Sequence, residues 1–497
     1  MVVVTVILSG CNSVKPETMN PFLTEYTTPF GVPPFDLIEN EHFIPAFEEG
    51  MKLHQIEIDA IVNNSDAASF ENTIEALDKS GEVLSKVNGV FFRLRSAETN
   101  DELDSIARVI MPELTAHNSS ISLNPELFNR INELNANKES LGLSEEQAMV
   151  LKKTYRGFVR GGAKLEGEAK ERIKEIDKKL SMLTMQFGDN LLKETNDYQL
   201  HIDNESDLAG LPESVRSAAA DAAASAGKDG WVFTLQKPSW IPFLQYAENR
   251  ELREEIYGAM FMRSNNGNEY DNNNLITEIL KLRIERANLL GYETHAAFVL
   301  EERMAKEADN VYDLLMQVWE PALNKAKEEA AMMQLMIDRD GGDFQLASWD
   351  WWYYAEKIRK EKYALDEEEV RSYFSLETAK AGLFNVVNNL YGLTFEPRKD
   401  LPVYHEEVMP YEVKEKDGTH LGIIYMDFHP RPGKRGGAWS TSIRRAHVKD
   451  GKQITPVHLI VMNFTRPTGD KPALLSFDET LTFFHEFGHA LHSMLTK

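Results

Sequence analysis

The chain has 497 residues, 42% hydrophobic and 27% charged, which is the balance of a globular protein long enough to bury a sizeable core. Its formal net charge of −25 repels the phosphate backbone, so we expect no nucleic-acid partner. Its single cysteine excludes an internal disulfide and a metal site made of several thiolates.

A short apolar run at the start of the chain ends in Leu8-Ser9-Gly10-Cys11. The pattern resembles a bacterial lipoprotein signal, in which the cysteine carries the lipid, and the run is too short to span a bilayer. The basic residues that usually open a signal are missing, which suggests a clipped start. We therefore expect residues 1–11 to be a signal and the protein to be membrane-anchored through Cys11 in the periplasm or cell envelope. The alternative is a cytoplasmic protein with a frayed N-terminus.

Residues 12–34 follow as a tether and an extended arm, rich in proline, threonine and phenylalanine. Apolar residues then recur at helical spacing, and residues 35–240 are predicted to form an N-terminal helical domain. Its clearest helical segments are residues 101–119, 144–160 and 166–195. Short strands are predicted at residues 201–203 and 231–235. Two prolines within residues 237–243 suggest a hinge, and we place a domain boundary at residue 240.

Residues 241–497 begin with more predicted helices, and the spacing of their apolar residues then changes from that of helices to that of strands. Apolar residues in continuous runs predict strands at residues 421–428 and 457–464. The predicted fold class is therefore mainly α, with a small β-sheet near the end of the chain.

A glycine-rich stretch, residues 429–438, lies between the two predicted strands and includes Gly433, Gly436, Gly437 and Ala438. It lacks the Gly-x-x-x-x-Gly-Lys-[Ser/Thr] frame, so we reject a phosphate-binding loop. Two interpretations stay open. The loop is the lip of a hairpin on the substrate side, where a strand edge pairs with an extended peptide, or it only connects strands.

The sequence His485-Glu486-Phe-Gly-His489 carries the chemistry. Residues four apart on a helix lie on one face, so both imidazoles can bind one ion, and their nitrogens suit Zn²⁺. Glu486 can reach a metal-bound water and act as general base. We expect one zinc ion per chain, held by His485 and His489. The alternative is a chance match with two histidines that only pack in the core.

The motif helix has its own start signal, because Ser476 followed by Glu479 makes a capping box. Leu481, Phe484, Leu491 and Leu495 are the apolar residues expected to bury it. His492 is seven residues from His485, too far to share the ion, and is expected to pack or to support a ligand. Both ligand histidines are expected to lie near the surface.

A site with two histidines needs at least one further protein ligand. Eight residues follow His489, and none of them is a carboxylate. We therefore expect the third ligand to lie outside this chain, the chain to be the front part of a longer protein, and these 497 residues alone to be inactive.

Four stretches together resemble the thimet-oligopeptidase family of zinc peptidases, closest to its peptidyl-dipeptidase Dcp and oligopeptidase A branches. The resemblance runs from about Asn20 to the last residue. Its motifs are Phe70-Glu-Asn-Thr73, Arg286-Ala-Asn-Leu-Leu-Gly-Tyr292 with Met304-Ala305, Tyr425-Met-Asp-Phe-His-Pro-Arg-Pro-Gly-Lys-Arg-Gly-Gly-Ala438, and Phe484-His-Glu-Phe-Gly-His-Ala-Leu-His492.

The resemblance implies a large, two-lobed helical peptidase with a deep channel, entered only by short unfolded peptides, and with zinc at its floor. His485 and His489 match the family's first two ligands and Glu486 its base, so residues 241–497 are expected to be the catalytic domain, incomplete at its C-terminal end. The implied activity is removal of C-terminal dipeptides by a monomer. Endo-acting cleavage of oligopeptides is the alternative, as is a non-catalytic peptide-binding module if the chain ends at Lys497.

Overall fold

Helices dominate the computed structural model, which describes residues 19–449, 451–469 and 471–496. The predicted mainly α fold class is confirmed. The helices are α1 (Phe43–Val62), α2 (Ala76–Lys79), α3 (Glu82–Ala97), α4 (Asp101–Ser122), α5 (Pro125–Ala136), α6 (Glu145–Gly161), α7 (Gly167–Asp197), α8 (Glu213–Ser225), α9 (Lys237–Tyr246), α10 (Arg250–Phe261), α11 (Asn273–Leu289), α12 (His295–Leu300), α13 (Ala308–Arg339), α14 (Trp351–Tyr363), α15 (Glu367–Arg371), α16 (Leu376–Tyr391) and α17 (Phe477–Leu495).

Helix starts in the N-terminal half coincide with capping side chains. Asn100 caps α4 by accepting a hydrogen bond from the amide of Leu103 at 2.9 Å. Ser144 caps α6 in a capping box with Gln147. These groups satisfy amides that would otherwise lack a partner, which explains why the predicted starts of both helices are confirmed.

Nine strands lie in three sheets within the described residues. They are β1 (Leu200–Ile202), β2 (Trp231–Phe233), β3 (Thr394–Pro397), β4 (Met409–Lys414), β5 (His420–Asp427), β6 (Trp439–Arg444), β7 (His447–Lys449), β8 (Lys452–Ile454) and β9 (Val457–Val461). The pairs β1-β2 and β7-β8 are small antiparallel sheets, and the main sheet has the order β3-β4-β5-β9-β6.

The main sheet is covered on both faces, and side chains alternate between them. Ile424 and Met426 of β5 pack with the residues of α16 and α17. Ile423 and Tyr425 face a second cluster that includes Ala97 at the end of α3. This period of two is the pleat of a strand buried on both faces, so the sheet fixes α17 and α3 on opposite sides.

Of the two interpretations left open for the glycine-rich loop, the hairpin is wrong. β5 and β9 are parallel neighbours, with Ile423 opposite Val457, so no tight turn can join them. The chain between them forms β6, which pairs antiparallel with β9 and ends the sheet. The two predicted strands themselves are confirmed, but a third strand, β6, lies between them in the sequence.

The predicted hinge at residues 237–243 is also wrong, because these residues belong to α9. Pro238 lies in the first turn, where a missing amide costs no hydrogen bond. Trp240, Phe243 and Leu244 are buried in the cluster that also holds β1 and β2. Burial of three large apolar side chains keeps the segment helical despite Pro242. A domain boundary at residue 240 stays a prediction.

The predicted arm is anchored to the core over its described part. Short 3₁₀ turns at Pro21–Leu23 and Pro29–Gly31 interrupt extended residues. Phe22 is fully buried and packs against Phe43 of α1 at 5.2 Å between ring centroids. Cys11 and the predicted signal lie outside the described residues. Within those residues, no helix combines the length and apolar character needed to cross a bilayer.

Candidate active site

The helix that carries the His-Glu-x-x-His motif, α17, begins as predicted. The hydroxyl of Ser476 accepts a hydrogen bond from the amide of Glu479 at 3.0 Å, and the Glu479 carboxylate accepts from the amide of Ser476 at 2.7 Å. This is the reciprocal capping box. Glu479 also accepts from the amide of Thr465 at 2.8 Å, so the helix start is fixed to the segment that leaves β9.

The buried stripe of α17 is not the one predicted. Phe483, Phe487, Ala490 and Met494 are buried against the sheet. The predicted anchors Leu481, Phe484 and Leu495 are exposed instead, and Leu491 is half-buried. The helix carries two apolar stripes, and spacing alone cannot tell which of them contacts the sheet.

His485 and His489 lie on the exposed side of α17, as predicted. Their Nε2 atoms are 3.2 Å apart. Two nitrogen ligands at about 2.1 Å from a tetrahedral zinc ion are about 3.4 Å apart, so the pair fits one ion. Within the described residues, no group of three or more His, Cys, Asp or Glu side chains is placed to hold a metal ion.

Glu486 lies between the two histidines in sequence but, unlike them, is buried, with 9% of its surface exposed. Its carboxylate makes no hydrogen bond or ion pair with any described residue. A buried carboxylate without a partner is costly unless it has a task that needs it free. Its position beside the histidine pair suits a base that must take and release a proton.

Glu486 and His489 line one side of a cleft of about 510 Å³. The other side is the edge strand β6, together with Ala438 just before it. An edge strand has backbone groups that a further strand can pair with. Sequence reasoning missed β6, although Trp439, Thr441 and Ile443 alternate with serines at strand period.

The residues of the glycine-rich loop serve two purposes: some pack within the fold, and one lines the cleft. Gly433 packs on the connection between α3 and α4, where an added Cβ would lie 2.4 Å from the carbonyl oxygen of Thr99. Gly437 has a φ of +94°, which suits glycine, and its carbonyl accepts a hydrogen bond from Asn463 at 2.6 Å. Ala438 alone of the four predicted substrate-side residues lines the cleft, and an added Cβ on Gly436 would meet nothing within 4 Å.

A buried ionic cluster lies beneath this loop and was missed from the sequence. Asp427, fully buried at the end of β5, accepts hydrogen bonds from Arg431 at 2.6 and 2.9 Å and from Lys434 at 2.7 Å. Tyr404 donates a further one at 2.6 Å. The cluster holds the first half of the loop to the end of β5.

The charges in this cluster shift each other's titration. Burial works to raise the pKa of Asp427, but the hydrogen bonds and charges of Arg431 and Lys434 outweigh it and hold that pKa below its usual range. Burial lowers the pKa of Lys434 to about 8, although Asp427 opposes the change. The carboxylate is therefore ionised at neutral pH and is the group on which the two cations depend.

His458, on β9, lines the same cleft and was also missed. The hydroxyls of Ser440 and Ser442 lie 2.7 and 3.1 Å from its two ring nitrogens. Burial, with the nearby charges of His489 and Arg93, lowers the pKa of His458 to about 4. Its imidazole is therefore neutral at pH 7 and adds no charge to the cleft.

The shift at His458 predicts a loss of stability in acid. Unfolded histidine has a pKa of about 6.5, so between pH 6.5 and 4 the unfolded chain binds a proton that the folded chain does not. Stability then falls as the pH falls through this window, by about 3 kcal/mol at most. Urea unfolding at pH 7 and pH 4 measures the effect. The free energy of unfolding of His458→Gln should fall by about 3 kcal/mol less between these two pH values than that of the parent protein. His447→Gln, which removes an exposed imidazole, should behave as the parent does. If all three proteins lost the same free energy of unfolding between pH 7 and pH 4, the lowered pKa of His458 would not be the cause.

His492 is exposed at the end of α17. The prediction that it packs is therefore wrong, because two helical turns place it on the same exposed face of α17 as His485.

The sequence of the chain is similar to those of known peptidases. A family model described as "Peptidase family M3" matches residues 243–497. The dipeptidyl carboxypeptidase of Escherichia coli (strain K12) is 36% identical over 488 residues, which cover 97% of this chain and 70% of the relative. Oligopeptidase A of Salmonella typhimurium (strain LT2) is 33% identical over 483 residues, which cover 96% of this chain and 70% of the relative.

One solved structure, described as PZ peptidase A with inhibitor 2, covers 92% of this chain and 64% of its own. Its TM-score is 0.44 at 15% identity, an overlay too loose to add to the fold assignment.

Proposed function

Because the chain belongs to peptidase family M3, a family of metallopeptidases, we propose that it serves as a zinc peptidase that removes dipeptides from the C-terminal end of short peptides. One observation carries the proposal. His485 and His489 hold their Nε2 atoms 3.2 Å apart beside a buried, unpaired Glu486, at a cleft with an open strand edge. The identity of 36% to a dipeptidyl carboxypeptidase supports the choice of product.

His485 and His489 are the residues that would hold the zinc ion, and when bound that ion acidifies a water molecule and polarises the scissile carbonyl. Glu486 has the chemistry of the base. Its free carboxylate can accept the proton of the attacking water and pass it to the leaving amine. Because Glu486 is next to His485 in the chain, the helix backbone fixes the base relative to the ligands.

The edge strand β6 is the surface on which the peptide lies. An extended peptide that pairs with Trp439–Arg444 gains backbone hydrogen bonds that do not depend on its side chains. Binding of this kind favours short unfolded peptides over folded proteins. A substrate-side role for the loop is supported at Ala438, which lines the cleft just before this strand.

The metal part of the proposal predicts one zinc ion per chain by elemental analysis after dialysis. His485→Ala and His489→Ala should each weaken zinc binding by more than about 100-fold, since each removes a direct ligand. His492→Ala, an exposed histidine on the same helix, should retain the metal. A protein that binds no zinc would instead favour a non-catalytic module that only binds peptides.

The product distinguishes two cleavage modes. The match to oligopeptidase A at 33% identity favours endo-acting cleavage as the alternative. A decapeptide and its C-terminally amidated form separate the two by mass spectrometry. A peptidyl-dipeptidase should release dipeptides from the free acid and leave the amide intact, whereas an endo-acting enzyme should cut both.

A further inference from the structure

Arg93 reaches the cleft because α3 passes very close to β6. A Cβ atom added to Gly89 would lie 2.6 Å from the carbonyl oxygen of Ile443, so only glycine allows this approach. Arg93 follows four residues later, on the same face of the helix. Its Nη2 donates a hydrogen bond to the carbonyl oxygen of Ser442 at 3.0 Å. The guanidinium group is thereby held at one end of the strand edge.

Arg445 follows β6 directly and lines the same cleft. Burial, and then the positive charge of Arg445, lower the pKa of Arg93. The two cations therefore lie close enough to repel each other. Like charges are brought together in a fold at a cost, which a bound anion between them would remove.

Neither arginine has an acidic partner. No carboxylate of the described residues, Glu486 included, lies within 4.0 Å of the side chain of Arg93 or Arg445. The Nε atom of Arg93 is buried and has no hydrogen-bond acceptor. The chain has 79 acidic and 54 basic residues, so carboxylates are in excess, yet no described one pairs with either arginine, and Glu486 is the only one among the residues that line this cleft.

We propose that Arg93 and Arg445 form a carboxylate-binding end of the cleft, and that they bind the free C-terminal carboxylate of the peptide. The inference rests on the proposed function and names the group of the substrate that this end of the cleft binds. Guanidinium groups bind carboxylates through paired hydrogen bonds, and neither guanidinium group here is paired with a described carboxylate.

The strand edge explains why the terminal carboxylate is preferred to a side-chain carboxylate. Arg93 donates to the carbonyl oxygen of Ser442, and α3 packs at Gly89 on the carbonyl oxygen of Ile443, so α3 covers the end of β6 where a paired peptide would otherwise continue. The peptide strand must end where the two arginines lie, and its end group is a carboxylate. A side-chain carboxylate shares the same chemistry but would point away from the line of the strand.

Binding of three fluorescent peptides to the Glu486→Gln protein tests the inference without hydrolysis. The first peptide has a free C-terminus, the second is its amide, and the third is an amide with glutamate as its last residue. By fluorescence anisotropy, the free acid should bind about 10- to 100-fold more tightly than the plain amide, the range for a charge-assisted hydrogen bond. The amide that ends in glutamate should bind like the plain amide.

Arg93→Met and Arg445→Met should each bring the ratio of acid to amide affinity towards one, while affinity for the amide stays within about twofold. Arg93→Lys should keep most of the ratio because it keeps the charge. Arg303→Met, which removes an exposed arginine that does not line the cleft, should leave all affinities unchanged.

Three results would overturn the inference. They are equal affinity of the parent protein for acid and amide, equal loss of both in the arginine variants, and tight binding of the amide that ends in glutamate. The second is the result expected if Arg93 only supports the strand. A protein that hydrolyses no peptide but keeps the ratio would refute the proposed function and leave the inference standing. Hydrolysis with a ratio of one would do the reverse.

Discussion

Replacing Glu486 with glutamine should lower kcat/KM for peptide hydrolysis by about 10²- to 10⁴-fold, the contribution of a positioned general base. The two side chains have nearly the same shape, so the cleft should keep its form. The amide cannot accept a proton from the attacking water. Zinc content should stay at that of the parent protein, because His485 and His489 are untouched. Initial rates on a decapeptide, with metal analysis of the same samples, measure both quantities.

Asp478→Asn is the matched control for Glu486→Gln. It removes one carboxylate from the same helix, but Asp478 is exposed and pairs with Lys237 outside the cleft. Its rate should equal that of the parent protein. If Glu486→Gln kept full activity, or lost its zinc along with its activity, Glu486 would not be the base.

Replacing Asp427 with asparagine should destabilise the fold by about 3–5 kcal/mol, the cost of leaving a buried ion pair without one partner. Arg431 and Lys434 would then be buried without their shared carboxylate. Because Lys434 already has a pKa of about 8, loss of its proton should relieve part of the cost. Urea unfolding at pH 7 gives the change in the free energy of unfolding.

Two variants make the test of Asp427 specific. Asp221→Asn removes an exposed carboxylate from α8 and should change stability by less than about 0.5 kcal/mol. Lys434→Met added to Asp427→Asn should recover part of the loss, because it removes one unpaired charge. If Asp427→Asn alone were as stable as the parent protein, the cluster would be exposed to water in solution.

Local patterns were sufficient to predict α17 and the placement of His485 and His489 together on its exposed side. A capping box and a spacing of four residues involve contacts within one turn, so they can be read without knowledge of the rest of the fold. The same holds for the starts of α4 and α6. The choice between two apolar stripes on α17 needed its packing partner, and the prediction was wrong there.

Long-range pairing limits what can be predicted about the cleft. The order of the main sheet places β9 between β5 and β6, and nothing in a single strand's sequence states its neighbours. A hairpin was therefore kept as one of two interpretations where a parallel pair exists. Arg93 comes from a helix at the other end of the chain, and its sequence context is that of an ordinary amphipathic helix.

The cluster at Asp427 shows a third limit. Asp427, Arg431 and Lys434 lie within eight residues of one another, so the charges were visible in the sequence. Charged residues near glycines usually face solvent, and only the fold shows that these turn inward. Their burial under the loop was the missing information.

The contact between α3 and β6 also sets when the protein can begin to work. Arg93 and Ser442 are separated by 349 residues. At a translation rate of about 5–20 residues per second, a ribosome makes them roughly 20 to 70 seconds apart. During that interval the nascent chain holds α3 but not β6, so the cleft between them can form only after residue 442 has been made.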